Sequence, residues 1–173
     1  LYLGRNRRVG PWRDTFARIT GPAVKQLQLV FAEDWHWLTG TSLLEVLDWD
    51  APAPAGPTEA LIVPTGPTDG EDGGAAMFFA AIAQAEKRVW ISTPYFVPEN
   101  YGAEVFEELV ARGVRVRIVT NSLAATNHAY VHGGYAPYRN RLLSSGVEFL
   151  EVRADAPEIL NGDGAPLVLH SKL

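Results

Sequence analysis

The chain has 173 residues and a mass of 18.9 kDa, enough for one sizeable core or parts of two. Hydrophobic residues make up 47% and charged residues 20%, the balance of a soluble α/β protein; the longest nearly apolar stretch, residues 75–85, is too short to span a bilayer. The net charge of −5 weighs against a general nucleic-acid binder, and the lack of cysteine excludes disulfides and thiolate metal sites.

Leu1–Gly10 is rich in Arg and Gly and reads as a loop. It has no apolar stretch behind it and does not resemble a signal peptide. Residues 1–25 hold six cations against Asp14 alone, a local charge of +5 that leaves −10 for the remainder. Such a basic edge suits solvent or anionic headgroups. A short strand is predicted over Thr15–Thr20, then a helix opened by Gly21-Pro22 with Leu27, Val30 and Phe31 on one face.

Residues 51–58, a run of Ala, Pro, Gly and Thr, form the clearest linker. A short strand is expected at Ala60–Val63, a polar turn at Thr68–Gly74, and a helix at Ala75–Lys87 that is apolar nearly all round and hence buried. Strands at Val89–Thr93, Val114–Thr120 and Val147–Val152 then alternate with helices at Gly102–Arg112 and Thr126–Ser145. The first of these helices is stopped by Gly113; the second uses Val131, Tyr135, Tyr138 and Leu142 and stops at Gly146. Ala154–Ala165 is irregular and Pro166–Leu173 a last strand. This alternation predicts an α/β fold with a mainly parallel or mixed sheet flanked by helices.

Ligands in such sheets gather beyond the carboxyl ends of the strands. One end runs into Pro94-Tyr95-Phe96-Val97-Pro98 and another into Asn121-Ser122. Each also has a plain structural account, as a rigid aromatic turn and as a helix-capping loop. The third place is His170-Ser171-Lys172. Residues two apart on a strand share a face, so His170 and Lys172 project together. An imidazole beside an ammonium suits attack on phosphate: the nitrogen forms a covalent phospho-intermediate while the cation neutralises the non-bridging oxygens. That scheme requires no metal or other cofactor. The tripeptide is short enough to recur by chance, so its context matters. His128 and His132 have a zinc-compatible spacing, but no third ligand accompanies them.

The context comes from the order of the segments. Residues 11–24 from Pro11-Trp12-Arg13-Asp14 to Gly21-Pro22-Ala23-Val24, with Leu27-Gln28, Phe31 and Asp34-Trp35, resemble the stretch after the first catalytic motif of bacterial cardiolipin synthases. Phe16 stands where that pattern usually has His. Thr93-Pro94-Tyr95-Phe96-Val97-Pro98 and Arg112-Gly113-Val114 are similar to two further family stretches. Asn121-Ser122-Leu123-Ala124-Ala125-Thr126, Val131-His132-Gly133-Gly134-Tyr135 and Tyr138-Arg139 resemble one branch, which has Asp in place of Asn127 and Ala in place of Gly133. His170 and Lys172 fall where the second HxKxxxxD motif begins.

The resemblance implies the phospholipase D fold, in which two similar halves each bring an HxK motif to one site. On that reading residues 1–50 are the tail of the first half, 51–58 the linker, and 59–173 most of the second half, ending inside its motif. The implied reaction is phosphatidyl transfer between phospholipids through a phosphohistidine, forming cardiolipin. Catalysis falls to His170 and Lys172, and substrate binding to Tyr95, Asn121 and Ser122. One His is the nucleophile and the other the acid; the sequence leaves open which role His170 takes. Implied partners are phosphatidylglycerol, with phosphatidylethanolamine as a second lipid, and a membrane surface, without nucleic acid. The implied place is the bacterial cell membrane, reached peripherally or through parts outside this chain, and the isolated chain is expected to be inactive. The alternatives are a phospholipase D hydrolase, a nucleic-acid phosphodiesterase of the same superfamily, and a non-catalytic binding module.

Overall fold

In a computed structural model the described residues are 12–54, 56–66, 73–154 and 168–173. They contain β1 (Trp12–Arg13), α1 (Ala23–Thr39), α2 (Gly73–Ala83), β2 (Arg88–Ser92), α3 (Glu99–Ala111), β3 (Arg115–Asn121), α4 (Ala129–Ser145), β4 (Glu148–Val152) and β5 (Val168–Leu169). Two compact units result: one holds residues up to 16 together with those from 77 on, the other residues 17–76. The stretch 51–58 lies inside the second unit.

In the first unit β2, β3 and β4 form a parallel sheet in the order β2-β3-β4, joined through α3 and α4. This is the predicted α/β architecture. Register explains the core. Val89 pairs with Val116, and Ile91 with Ile118, which pairs in turn with Phe149. These alternate positions make one apolar face, and Phe106 and Leu109 of α3 pack on it with Tyr135 and Leu142 of α4. Gly113 and Gly146 end the two connections at φ +84° and +106°, values that L side chains rarely adopt.

The opposite face places Trp90, Arg117 and Glu148 in one row. Trp90 is stacked by the guanidinium groups of Arg88 and Arg117, 4.8 and 5.7 Å from the ring centre, and Arg117 is paired with Glu148. Helices of the described core therefore cover one face, and the other is solvated by charge and cation–π contacts.

Several local expectations change. Helix α2 has no buried residue and ends at Ala83. Only Phe79, Ile82 and Ala83, spaced three and four apart, pack against the core, while Met77 and Phe78 are exposed. A helix apolar all round thus buries a single stripe. No strand forms at Ala60–Val63, where the Ile62 amide donates to the Gln26 side chain rather than to a ladder. Residues 14–20 have no regular structure, and the pairing strand is Trp12–Arg13. Among the described residues the last strand covers Val168–Leu169. Leu1–Gly10, most of the turn at 68–74 and nearly all of Ala154–Ala165 lie outside the described residues. In the second unit α1 begins after Pro22 and stops at Gly40, φ +70°. Leu27 and Phe31 are exposed on it, so its predicted apolar face is largely uncovered within the described residues.

A polar network fastens α4 to β4. Tyr135 Oη donates to Glu151 Oε1 at 2.9 Å, and Arg139 holds both carboxylate oxygens at 2.9 and 3.2 Å. The Arg139 bond chiefly holds the Glu151 carboxyl below its ordinary 4.5, and burial pushes the Tyr135 phenol up. Because the folded carboxyl is depressed, its contribution is present above its ordinary 4.5 and is lost as pH falls through the folded value. Glu151→Ala should lower the unfolding free energy by about 1–2 kcal/mol at pH 7. That difference should shrink in acid, as urea unfolding of both proteins at pH 7 and pH 3 will show.

Candidate active site

The pairing of β1 with β5 builds the site. Trp12 lies beside Val168 and Arg13 beside Leu169, both strands running the same way. Continuing that register puts Asp14 beside His170 and Thr15 beside Ser171. The side chains meet in those pairs: His170 Nδ1–H donates to Asp14 Oδ2 at 2.8 Å, and the Thr15 and Ser171 hydroxyls are 3.0 Å apart. Alternation sends the two pairs to opposite sides; Ser171 is buried.

Lys172 returns to the His170 side. Its ammonium lies 3.0 Å from Nε2 and 3.1 Å from Nδ1. The His170 hydrogen bond chiefly holds the Asp14 carboxyl below its ordinary 3.8. An ionised carboxylate only accepts, so the Nδ1 proton belongs to the ring and the lone pair of the neutral ring is on Nε2. Asp14 and His170 side chains are only 16% and 12% exposed, which shelters the pair from water, whereas Lys172 is exposed.

Tyr95 comes from the loop after β2. Its ring centre is 6.1 Å from that of His170, edge to face, and the Lys172 ammonium sits 5.4 Å from it. Pro94 and Phe96 on either side are buried, Phe96 against Phe106, Tyr135 and Phe149. Tyr95 is thus fixed by its neighbours' packing. His128, just before α4, lies tilted against Tyr95 with its ring centre 5.9 Å away. An apolar cavity of about 330 Å³ adjoins, with Tyr95, Phe96, Val97 and Lys172 among its lining residues.

The fold therefore brings His170, Lys172 and Tyr95 together. The side chains of Asn121 and Ser122 are each bonded to backbone groups. Asn121 is buried with its amide on the backbone of Leu169, and the Ser122 hydroxyl accepts the Ala125 amide in the turn that follows β3. Among the described residues no group of three or more acidic or His side chains is placed to hold a metal. The residue that sequence reasoning missed is Asp14. Its signal was present: it is the lone acid among six cations in residues 1–25.

Residues 78–173 match the family model described as cardiolipin synthase, PLD-like domain. The chain is 36% identical to cardiolipin synthase A of Pseudomonas entomophila strain L48 over 84% of its own length and 30% of the relative's. It is also 36% identical to cardiolipin synthase A of Pseudomonas aeruginosa strain LESB58, over 85% of this chain and 29% of that one. The chain spans about 30% of the length of these curated relatives. No solved structure gives a significant match.

A carboxyl titration followed by ¹³C NMR should place the midpoint of Asp14 below 3.8. In His170→Ala it should return to the ordinary carboxylate range. An unchanged midpoint in the variant would show that the pair does not form in solution.

Proposed function

Because the chain belongs to the family of cardiolipin synthase, PLD-like domains, we propose that it supplies one half of the active site of a phosphatidyltransferase that makes cardiolipin. The observation that carries this reading is the His170 imidazole held between the Asp14 carboxylate and the Lys172 ammonium. Asp14 accepts from Nδ1 and fixes the tautomer, which directs Nε2 outward. Lys172 is placed to neutralise the non-bridging oxygens of a phosphodiester as negative charge builds at phosphorus. Tyr95, beside both, forms the wall against which the phosphorylated end of the lipid rests.

The reaction uses two imidazoles. One attacks phosphorus and becomes the phosphohistidine; the other gives its proton to the departing alcohol. The incoming hydroxyl of a second phospholipid then yields its proton to the same group and breaks the P–N bond. His170 is one of the pair. We place the other in a second His-x-Lys motif, as the paired halves of the family imply. Phosphatidylglycerol, with phosphatidylethanolamine as an additional donor, fits this chemistry, and the enzyme works at the surface of the bacterial membrane. No described helix is long and apolar enough to cross it.

In the full-length protein, His170→Ala should reduce cardiolipin formation from labelled phosphatidylglycerol by about 10⁴-fold or more. The melting temperature should change little, since His170 lies outside the hydrophobic core. Lys172→Ala should also be severe, and Lys172→Arg should rescue poorly, because a planar fork replaces a compact ammonium. Near-normal transfer in His170→Ala would end this reading. Phosphatidic acid as the main product of the wild-type protein would make it a hydrolase instead.

A further inference from the structure

Asn121 has no part in the chemistry above, yet it is among the most completely engaged side chains near the site. It closes β3 and is 3% exposed. Its Nδ2 donates to the carbonyl of Leu169 at 3.1 Å, and its Oδ1 accepts the Leu169 amide at 3.2 Å. A primary amide carries the same donor and acceptor as a peptide unit. The side chain therefore makes one rung of a ladder between β3 and β5, which lie in different sheets. Leu169 immediately precedes His170. The segment is also held by the short β1 pairing, the Thr15–Ser171 contact and a reciprocal pair of backbone bonds between Leu173 and Ser92, both 2.9 Å.

We propose that Asn121 is a positioning residue, which ties the strand bearing His170 to the central strand β3 and so sets the imidazole against Asp14. The catalytic part of this inference rests on the phosphatidyl-transfer reading. Asn121→Ala leaves a buried amide and carbonyl of Leu169 without these partners, and the strand is then free to shift. Asn121→Asp keeps the shape but, when ionised, turns an acceptor toward the Leu169 carbonyl. When protonated, the carboxyl again offers one donor and one acceptor.

The test uses full-length wild-type, Asn121→Ala and Asn121→Asp proteins. Two readouts apply: transfer kinetics on phosphatidylglycerol vesicles, and ¹⁵N signals of the His170 ring. A displacement of about 1 Å at a reacting group costs on the order of 100-fold in rate. Asn121→Ala should therefore lower kcat by about 10–100-fold with KM within about twofold. Its His170 signals should move away from the Nδ1–H tautomer. Asn121→Asp should lose a similar factor at pH 8 and regain activity, relative to wild type, toward pH 5 as the introduced carboxyl is protonated. A raised KM with kcat retained would make Asn121 a substrate-binding residue and overturn the proposal. Lower stability with kcat per folded molecule and His170 signals unchanged would overturn it as well. If Asn121→Ala does not fold, the pH dependence of Asn121→Asp decides. If the wild-type protein shows no transfer at all, the transfer reading fails, while the His170 signals still report whether Asn121 positions the ring.

Discussion

The parallel pairing of β1 with β5 sets an offset of 156 residues between the side chains it brings together, and the site exists only in that register. With Arg13 beside Leu169, Asp14 reaches His170 and Thr15 reaches Ser171. A slip by one residue would set Asp14 beside Ser171 and leave His170 beside Arg13. The two hydroxyls on the far side and the Asp14–His170 hydrogen bond on the near side therefore enforce the same alignment. Each strand is only two residues long, so the backbone ladder alone is a weak guide, and the side chains complete the specification.

Charge gives that alignment its chemical meaning. His170 lies between an anion at 2.8 Å and a cation at 3.0 Å, so its two nitrogens are distinct before any substrate arrives. One is committed to Asp14, and the other lies 3.0 Å from the Lys172 ammonium. Lys172 is also 5.4 Å from the face of Tyr95, a contact that steers a flexible side chain toward the site at small entropic cost. A chain that is acidic as a whole thus presents a cation beside His170, where the proposed phosphodiester binds.

The core elements were legible in the sequence because they follow simple periods. Val89 and Ile91, Val116 and Ile118, and the glycines at 113 and 146 announce strands, faces and stops from local pattern alone. His170 and Lys172 were legible for the same reason, since alternation places them on one side of a strand. Asp14 was not, because its role depends on a pairing across 156 residues that no local period encodes. Asn121 was noticed for its position at a strand end, but nothing in the sequence tells a side chain aimed at a ligand from one aimed at the backbone of Leu169. Helix α2 shows the reverse error. Its composition suggests burial on every side, whereas the core has room for one stripe and leaves Met77 and Phe78 at the surface.

The two sides of the site are supported by different forces. Tyr95 sits between Pro94 and Phe96, and Phe96 is packed among Phe106, Tyr135 and Phe149, so hydrophobic burial fixes that wall. His170 is held mainly by polar contacts: those of Asp14, the Thr15–Ser171 pair and the Asn121 rung one residue away. A hydrogen bond of this kind contributes about 1 kcal/mol net, whereas a buried aromatic side chain contributes about 1.5–3 kcal/mol. The imidazole side is therefore the first to loosen when any one contact is lost, and the aromatic wall stays in place. In the proposed reaction the nucleophile or acid moves by fractions of an ångström as a bond to phosphorus forms and breaks, while the proposed lipid wall is best left rigid. Polar attachment for the reacting group and apolar attachment for the wall fit those two demands.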